Sequence, residues 1–459
     1  MSGSSYNSRN FLLVFGLPLL LRWPLLHLGF GVEEDAWGHV LNALEMNAQG
    51  EYVISRLPGH PAMEALCWLL LQLFGLKAWA WNLTFALAGS WCSWEFYRLL
   101  IRFNVPSALG IGLGFNAIPV VLFSGTTTMD YLFQLLLLLL LFRQMLEERW
   151  IWVGVLLGLA MSFRLTSALF ALAIAAHWLT TASFQWKNTL QLALPATLVV
   201  MLSYWPAYQQ LGWGFFSTYS LPYPPLAKVL YKGSVGAFGL LGVLAFIIFC
   251  FGRKKSAAEL PTAFIITLIG LHVLLFLRLP EKSAFLLPAV PFLTLWMGSG
   301  LSSRNAQIFA VLLMINPFVF GIHLIDPHRG SSASRWAFTQ NISTQSIAFD
   351  PLFGAYIGEW TKRKNKQQYV EDVLHCAEAR AQPNEVVIAG WWYAMLKVTE
   401  AASRDTSWAQ WQYYLPPEKA LLFRQQGLRI FALPEQEAIN QRKYASSQFS
   451  KTTLDYPCP

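Results

Sequence analysis

Runs of apolar residues long enough to cross about 30 Å of hydrocarbon recur from Phe11 to about Leu324. A chain built this way has few folds open to it, because backbone polar groups inside lipid must be satisfied within the protein and helices do this segment by segment. The overall balance agrees: 55% of the 459 residues are hydrophobic, 13% are charged, and the mean hydropathy is +0.41, far from a soluble globular domain. Past Ile325 the sequence turns mixed, polar and aromatic. We therefore expect an α-helical polytopic membrane domain over residues 1–325 and a small soluble α/β domain over 326–459.

Apolar length places spans at 11–31, 79–101, 105–123, 131–142, 151–163, 166–181, 189–207, 235–251, 260–277, 284–300 and 306–324, about eleven helices, several of them short. Segment 62–75 is shorter and carries Glu64 and Gln72, which reads as an interfacial helix. With the N-terminus cytoplasmic, Arg98, Arg102, Arg143, Arg149, Lys187, Arg253-Lys254-Lys255 and Arg304 all fall on the cytoplasmic side, as the bias of short loops toward Lys and Arg requires. The tail then lies outside, with a helix over 367–381, a strand over 385–390, a helix over 417–426 and a strand over 428–433. The first span lacks a small-residue cleavage site and reads as retained.

The net charge of +8 includes its clearest basic cluster between two spans, so topology explains it and nucleic acid is not an expected partner. Cys67, Cys92 and Cys250 lie in apolar segments, which leaves Cys376 and Cys458 as one candidate disulfide, with no metal-ligand cysteine spacing. Asn82-Leu83-Thr84 and Asn341-Ile342-Ser343 match the glycosylation acceptor pattern, and only the second lies outside a span.

Chemistry concentrates at the edge of the membrane. Glu33, Glu34 and Asp35 follow the first span directly and open a first external loop, 32–61, that also holds His39, Glu45, Glu51, Arg56 and His60. Charge at this boundary is costly and marks either a solvated helix end or a functional site. A carboxylate beside other carboxylates in a partly dry site has raised proton affinity, which would suit one of the three to act as a general base. Asp130 ends the Ser124–Asp130 loop, where helix capping and a functional role both fit. Arg164 interrupts an apolar stretch from Ile151 to Leu179 and must pair, snorkel or line a wet cavity. Arg278 and Lys282 flank a Leu-Pro turn before the tenth span, as anchors or anion ligands. The aromatic and proline-rich loop 208–232, with Trp213, Phe216, Tyr219, Pro222 and Tyr223, fits an interfacial belt or a lipid or sugar contact.

The stretch Glu34-Asp35-Ala36-Trp37, then Leu44-Glu45-Met46, Gly50-Glu51-Tyr52, Arg56 and His60-Pro61 before an apolar helix ending Leu73-Phe74-Gly75, resembles the first external loop of GT-C membrane glycosyltransferases. The likeness is to lipid A aminoarabinose transferases and protein O-mannosyltransferases in particular. It implies a GT-C-like fold and a sugar moved from a polyprenyl-phosphate-linked donor to an acceptor hydroxyl by inverting single displacement. An acid of the opening pair would be the base, Asp35 first and Glu34 second, with Glu33 a solvated neighbour. The resemblance further implies acceptor or metal contact for Asp130 and donor-phosphate binding for Arg164, Arg278 and Lys282, with Arg56 and His60 as weaker candidates. The family's Pro after the basic residue is absent behind Arg164, and His60 stands where many members carry Lys or Pro. Whether a divalent ion, Mg or Mn, joins Asp35 to the phosphate is left open, and no other cofactor is implied.

The expected setting is a bacterial inner membrane with a periplasm-facing site, or an endoplasmic reticulum membrane with a lumenal one. The acceptor would be a glycan, lipid or protein, selected by the C-terminal domain. A transporter using Arg164 and the outer acids as a substrate or proton path, and a non-catalytic scaffold of the same fold, are the competing classes. No internal repeat is evident to favour the transporter.

Overall fold

The structure is a computed structural model, and it describes residues 8–216, 223–252, 260–325, 336–342, 345–380, 384–403, 409–444 and 453–458. Arg253-Lys254-Lys255, Tyr219, Pro222 and Ser343 lie outside the described residues.

The first span is helical from Ser8 to Leu25, with a π turn over Leu12–Gly16 and a 3-10 turn over Trp23–Leu25 that holds Pro24. The first loop is largely a helix, Glu34–Gln49, closed by Gly50 in the left-handed conformation at φ 71°, the position glycine takes without strain. Pro61–Phe74 is the expected short helix, with its proline in the first turn, where no N–H is needed. Ala78–Arg102 follows. The expected span 105–123 is broken into Ala108–Asn116 and Pro119–Ser124, because the residue before a proline is pushed out of the helical region and Ile118 is extended at ψ 124°.

Among the described residues, the helix Trp186–Leu211, continuing as a 3-10 turn to Phe216, is the one helix long and apolar enough to cross a bilayer by itself. Leu226–Phe238 and Leu240–Phe251 qualify only together and are bent by 86°. The other apolar helices have 10–17 residues. They pack closely: a Cβ on Gly154 would lie 2.3 Å from the carbonyl oxygen of Leu192, and one on Gly158 would lie 2.8 Å from that of Ala196. Two glycines one turn apart thus let Trp150–Phe163 seat directly on the backbone of Trp186–Leu211.

The eleventh expected span, 306–324, is corrected. Its helix runs over Ser303–Ile315 and stops before Pro317, and Gly321–Ile325 is a strand, β1. It joins β2 (Phe338–Ile342) and β3 (Gln345–Asp350) in an antiparallel sheet of order β1-β3-β2. A helix of 26 residues, Ala355–Arg380, follows and begins twelve residues earlier than expected. A second sheet, order β5-β4-β6-β7, is parallel and contains β4 (Glu385–Ile388), β5 (Gln410–Gln412), β6 (Arg429–Ala432) and β7 (Leu454–Asp455). Helices Tyr393–Ser403, Pro417–Gln425 and Gln436–Tyr444 complete the α/β region. Cys376 and Cys458 are joined in a disulfide.

One apolar core runs without interruption from the helix bundle through Trp37 and Val40 to Val370, Val373, Trp392 and Met395. The long helix Ala355–Arg380 is thereby fixed against the bundle, and the loops at its outer end are held in place.

Candidate active site

Two layers of opposite charges meet where the apolar helices end. In the inner layer, Arg164 gives Nε to Asp130 Oδ2 at 2.5 Å and Nη2 to Oδ1 at 3.0 Å. Asp130 is fully buried and the Arg164 side chain is only 7% exposed. Arg164 is extended between two helical segments, Trp150–Phe163 and Leu165–Ala168. Its guanidinium also lies 4.7 Å from the Tyr131 ring and 5.2 Å from that of Phe285. Asp130 occupies a helix N-cap position without making a side-chain cap bond, so capping does not account for it. A fork-on-carboxylate pair of this kind is strongly bound and fixes both planes.

In the outer layer, Asp35 accepts hydrogen bonds from both Arg56 and Lys282. Lys282 also pairs with Glu33 at 2.9 Å, and the Tyr131 hydroxyl donates to Glu33 at 2.9 Å. Glu33 is therefore a member of the site rather than a solvated neighbour. Arg56 links the layers, since its Nη2 lies 4.0 Å from Asp130 Oδ1 and its Nε donates to His60 Nε2 at 3.0 Å. His60 Nδ1 lies 2.8 Å from the carbonyl oxygen of Phe163. One ring nitrogen accepts and the other donates, which defines a neutral imidazole. Burial and the neighbouring Arg56 push its pKa down to about 4.

The expectation that crowded carboxylates gain proton affinity is corrected by these cations. Burial pushes Asp35 upward, but Lys282 and then Arg56 more than offset it and hold the carboxyl well below the usual range. Glu33 is lowered, with burial opposed by Lys282, and Asp130 is lowered, with burial opposed first by Arg164. Lys282 is raised in turn, burial being outweighed by Glu33. Three carboxylates thus face three permanent cations.

Glu34 is not in this cluster. Successive residues on a helix point about 100° apart, so Asp35 and His39 share the inward face while Glu34 turns away. It hydrogen-bonds Tyr413 of the C-terminal region, whose phenol is pushed up by burial and by the Glu34 charge. Arg278 is exposed at the end of Thr262–Arg278 and joins none of these ion pairs. Of the expected residues, then, Asp35, Arg56, His60, Asp130, Arg164 and Lys282 come together, and Glu34 and Arg278 do not.

Several positioning residues escaped the sequence reading. Buried Glu64 accepts from the Ser55 N–H at 2.8 Å, from Ser55 Oγ at 2.7 Å and from the Tyr52 hydroxyl, and so shapes the loop that carries Arg56. The loop before Asp130 is held from two sides. Arg22, fully buried, donates to the carbonyls of Val121 at 3.2 Å and Leu122 at 3.3 Å. Arg363 donates to Thr126 O at 2.6 Å and Thr127 Oγ1 at 3.0 Å. Lys366, one turn further along the same long helix, donates to Val32 O at 2.7 Å, next to Glu33. The two carboxylate-bearing segments are also joined directly by Thr128 N–H to Phe30 O at 2.8 Å. At Gly31, with φ 136°, a Cβ would fall 2.6 Å from Thr127 Cγ2, so this crossing needs glycine. The signal for Arg363 and Lys366 was present only as two of several cations in a polar helix, and such residues usually face water.

Asp35 and Asp130 are each taken up by cations, and among the described residues no group of three or more His, Cys, Asp or Glu side chains converges as a metal would need. A cavity of about 470 Å³ lined by Trp150, His177, Trp178 and Lys187 lies at the opposite helix ends and not here.

The site thus sits in a helical bundle that joins an acidic helix after the first span, a buried Asp-Arg pair and an α/β appendage. Residues 58–208 match the family described as dolichyl-phosphate-mannose-protein mannosyltransferase. The fold is similar to the crystal structure of ArnT from Cupriavidus metallidurans bound to undecaprenyl phosphate, with 12% identity, TM-score 0.56, and 97% of this chain and 89% of that chain covered. The same protein in the apo state matches at 11% identity and TM-score 0.56, covering 98% and 90%. No curated protein matches the chain. The resemblance to the GT-C superfamily seen in the first loop is thus supported by the fold and by a matched family segment.

Proposed function

We propose that the protein is a membrane glycosyltransferase that moves a sugar from a polyprenyl-phosphate donor to an acceptor hydroxyl on the extracytoplasmic face. The observation that carries this reading is Asp35 held between Lys282 and Arg56, directly above the buried Asp130–Arg164 pair. Such a site offers a base, and it offers fixed cations where negative charge develops on a leaving phosphate. The donor phosphate competes for Lys282 and Arg56, and Arg164, which gives Nε and Nη2 to Asp130, can offer Nη1. As those cations turn to phosphate, Asp35 loses its compensation and its proton affinity rises.

Asp35 then takes the acceptor hydroxyl proton as the oxygen forms its bond to the anomeric carbon. The bond from that carbon to the phosphate oxygen breaks, the electron pair leaves with the polyprenyl phosphate, and configuration inverts. Glu34, turned to Tyr413, is the weaker candidate base. We assign residues 1–325 to the catalytic membrane domain and 326–459 to an external domain. Outward placement is supported by the Lys and Arg bias of the opposite loops, and the setting we favour is a bacterial inner membrane, with an endoplasmic reticulum membrane and a lumenal site as the alternative. Hexose and pentose donors both remain consistent with the site.

The experiment uses purified full-length protein in nanodiscs with a radiolabelled polyprenyl-phosphate sugar and a cell-envelope extract as the source of acceptor hydroxyls. Wild type should release labelled sugar from the lipid, and Asp35→Asn should lose at least about 100-fold in rate, the lower end for a general base. Glu34→Gln should retain most activity. Consumption by Asp35→Asn at the wild-type rate would sink the assignment.

A further inference from the structure

We infer that the β1-β3-β2 sheet is a membrane-dipping anchor whose bare face lies in the outer interfacial layer of the bilayer. The inference rests on the two faces of the sheet and on the element that leads into it, and is independent of the transferase reading.

The register is unambiguous. Phe349 of β3 stands opposite Ile322 of β1 on one side and Phe338 of β2 on the other. Directly opposed residues share a face, so these three side chains form one apolar row across the sheet. The next row, His323, Ala348 and Thr339, points the other way. That second face is covered by the helix Ala355–Arg380: Ala348 is fully buried, and a Cβ on Gly358 would fall 2.6 Å from the His323 ring. Among the described residues the first face has no such cover. Phe338 is 72% exposed and Phe349 37%, and Trp336 and Leu352 beside them are each 58% exposed. A bare aromatic face of this kind in a soluble setting marks an interaction surface.

Its occupant is indicated by continuity. Ser303–Ile315 presents Ile308, Val311 and Ile315 outward, a single stripe at helical spacing that fits lipid. Phe318 and Phe320 prolong that stripe into β1. At the same strand, the Tyr231 hydroxyl donates to Ile322 O at 3.1 Å, which docks the helix Leu226–Gly233 at the β1 edge of the sheet. That helix turns Leu226 and Leu230 outward and sends Lys228 and Lys232 to Glu281, the division of an interfacial helix. Aromatic rings without charge, on a sheet whose β1 edge joins both a lipid-facing helix end and an interfacial helix, are the composition of a membrane-water boundary.

The test places spin labels on full-length protein reconstituted in liposomes. Cys250→Ser removes the exposed thiol, Cys67 and Cys92 are buried, and Cys376 and Cys458 are bonded to each other. Single cysteines then go in at Phe338, at Trp336 as an independent second position, at Val311 as the lipid reference and at Glu371 as the aqueous reference. Collision with oxygen should exceed collision with a water-soluble nickel chelate at positions 338 and 336, as at 311, giving an oxygen-to-nickel ratio several-fold above that at 371. A ratio equal to that at position 371 would overturn the proposal in favour of a solvent-facing sheet. Low access to both reagents would overturn it in favour of a protein cover, such as a second copy.

Discussion

The Asp130–Arg164 pair should behave as one unit whose halves cannot be removed separately. Asp130→Asn leaves the Arg164 guanidinium buried with no carboxylate and places it near Arg56, which already lies 4.0 Å from Asp130. Two unit charges about 4 Å apart interact by about 4 kcal/mol at an effective dielectric of 20, and stranding one partner of a buried pair costs about 3–5 kcal/mol. Arg164→Gln should cost less, nearer the low end, because Arg56 stays beside Asp130 and can partly neutralise it. The double variant Asp130→Asn/Arg164→Gln replaces the ion pair with an amide contact and should lose no more than the worse single variant. The coupling in the cycle is then about 3 kcal/mol in the direction of mutual dependence. Reversible unfolding in mixed micelles, titrated with SDS at fixed ionic strength, reads these differences. Losses that add to within about 0.5 kcal/mol would refute the claim that the pair is a closed, dry unit. A stable but inactive double variant would separate its charge role from its structural one.

Three further outcomes follow from the geometry. His60 is neutral in the folded protein, with its pKa lowered from 6.5 to about 4, so below pH 6.5 the unfolded chain binds a proton that the folded one refuses. Stability should fall as pH drops from about 6.5 to about 4, by on the order of 3 kcal/mol in all, and His60→Gln should flatten this slope in the same titration. Arg363→Met removes the donors to Thr126 and Thr127 and strands Glu359, its partner at 2.8 Å; a loss of about 3 kcal/mol is expected, partly restored by adding Glu359→Gln, with weaker binding of the proposed polyprenyl-phosphate donor in both. Chelation by EDTA should leave consumption of the lipid-linked sugar unchanged, because Asp35 and Asp130 are committed to cations; full loss restored by Mg or Mn would contradict that.

Much of the bundle was legible in the sequence because apolar length and a 3.6 period are local properties. The breaks came from equally local causes: Pro119 splits one expected span and Pro317 ends another before β1. The first loop was read as a loop because its charges masked a helix, although Gly50 stood at its end as a stop signal. Seeing Glu34–Gln49 as a helix would have separated Glu34 from Asp35 at once. What the sequence could not show is which cation meets which acid. Lys282 and Asp35 are 247 residues apart, and Arg363 and Thr126 are 237 apart. Proton affinities followed those distant partners rather than the neighbouring acids, which is why the expected upward shift reversed.

That reversal bears on how such a site can work at the edge of a membrane. Unpaired charge is least tolerable there, so a resting site with three carboxylates needs three cations nearby, and it has them in Arg56, Arg164 and Lys282. A base tied to two cations is a poor base. The conflict is removed if the same cations serve the phosphate, since arrival of the donor supplies the negative charge that lets Asp35 give up its partners. The base is then released when the donor is in place, and the acceptor is activated only next to a sugar ready to receive it. On this logic Lys282→Met should uncouple the two events: Asp35 would become more basic without donor while donor binding weakens. The acid limb of the pH-rate profile should therefore move to higher pH as KM for the lipid-linked sugar rises, and a rise in KM with an unmoved acid limb would show that Lys282 binds phosphate without controlling the base.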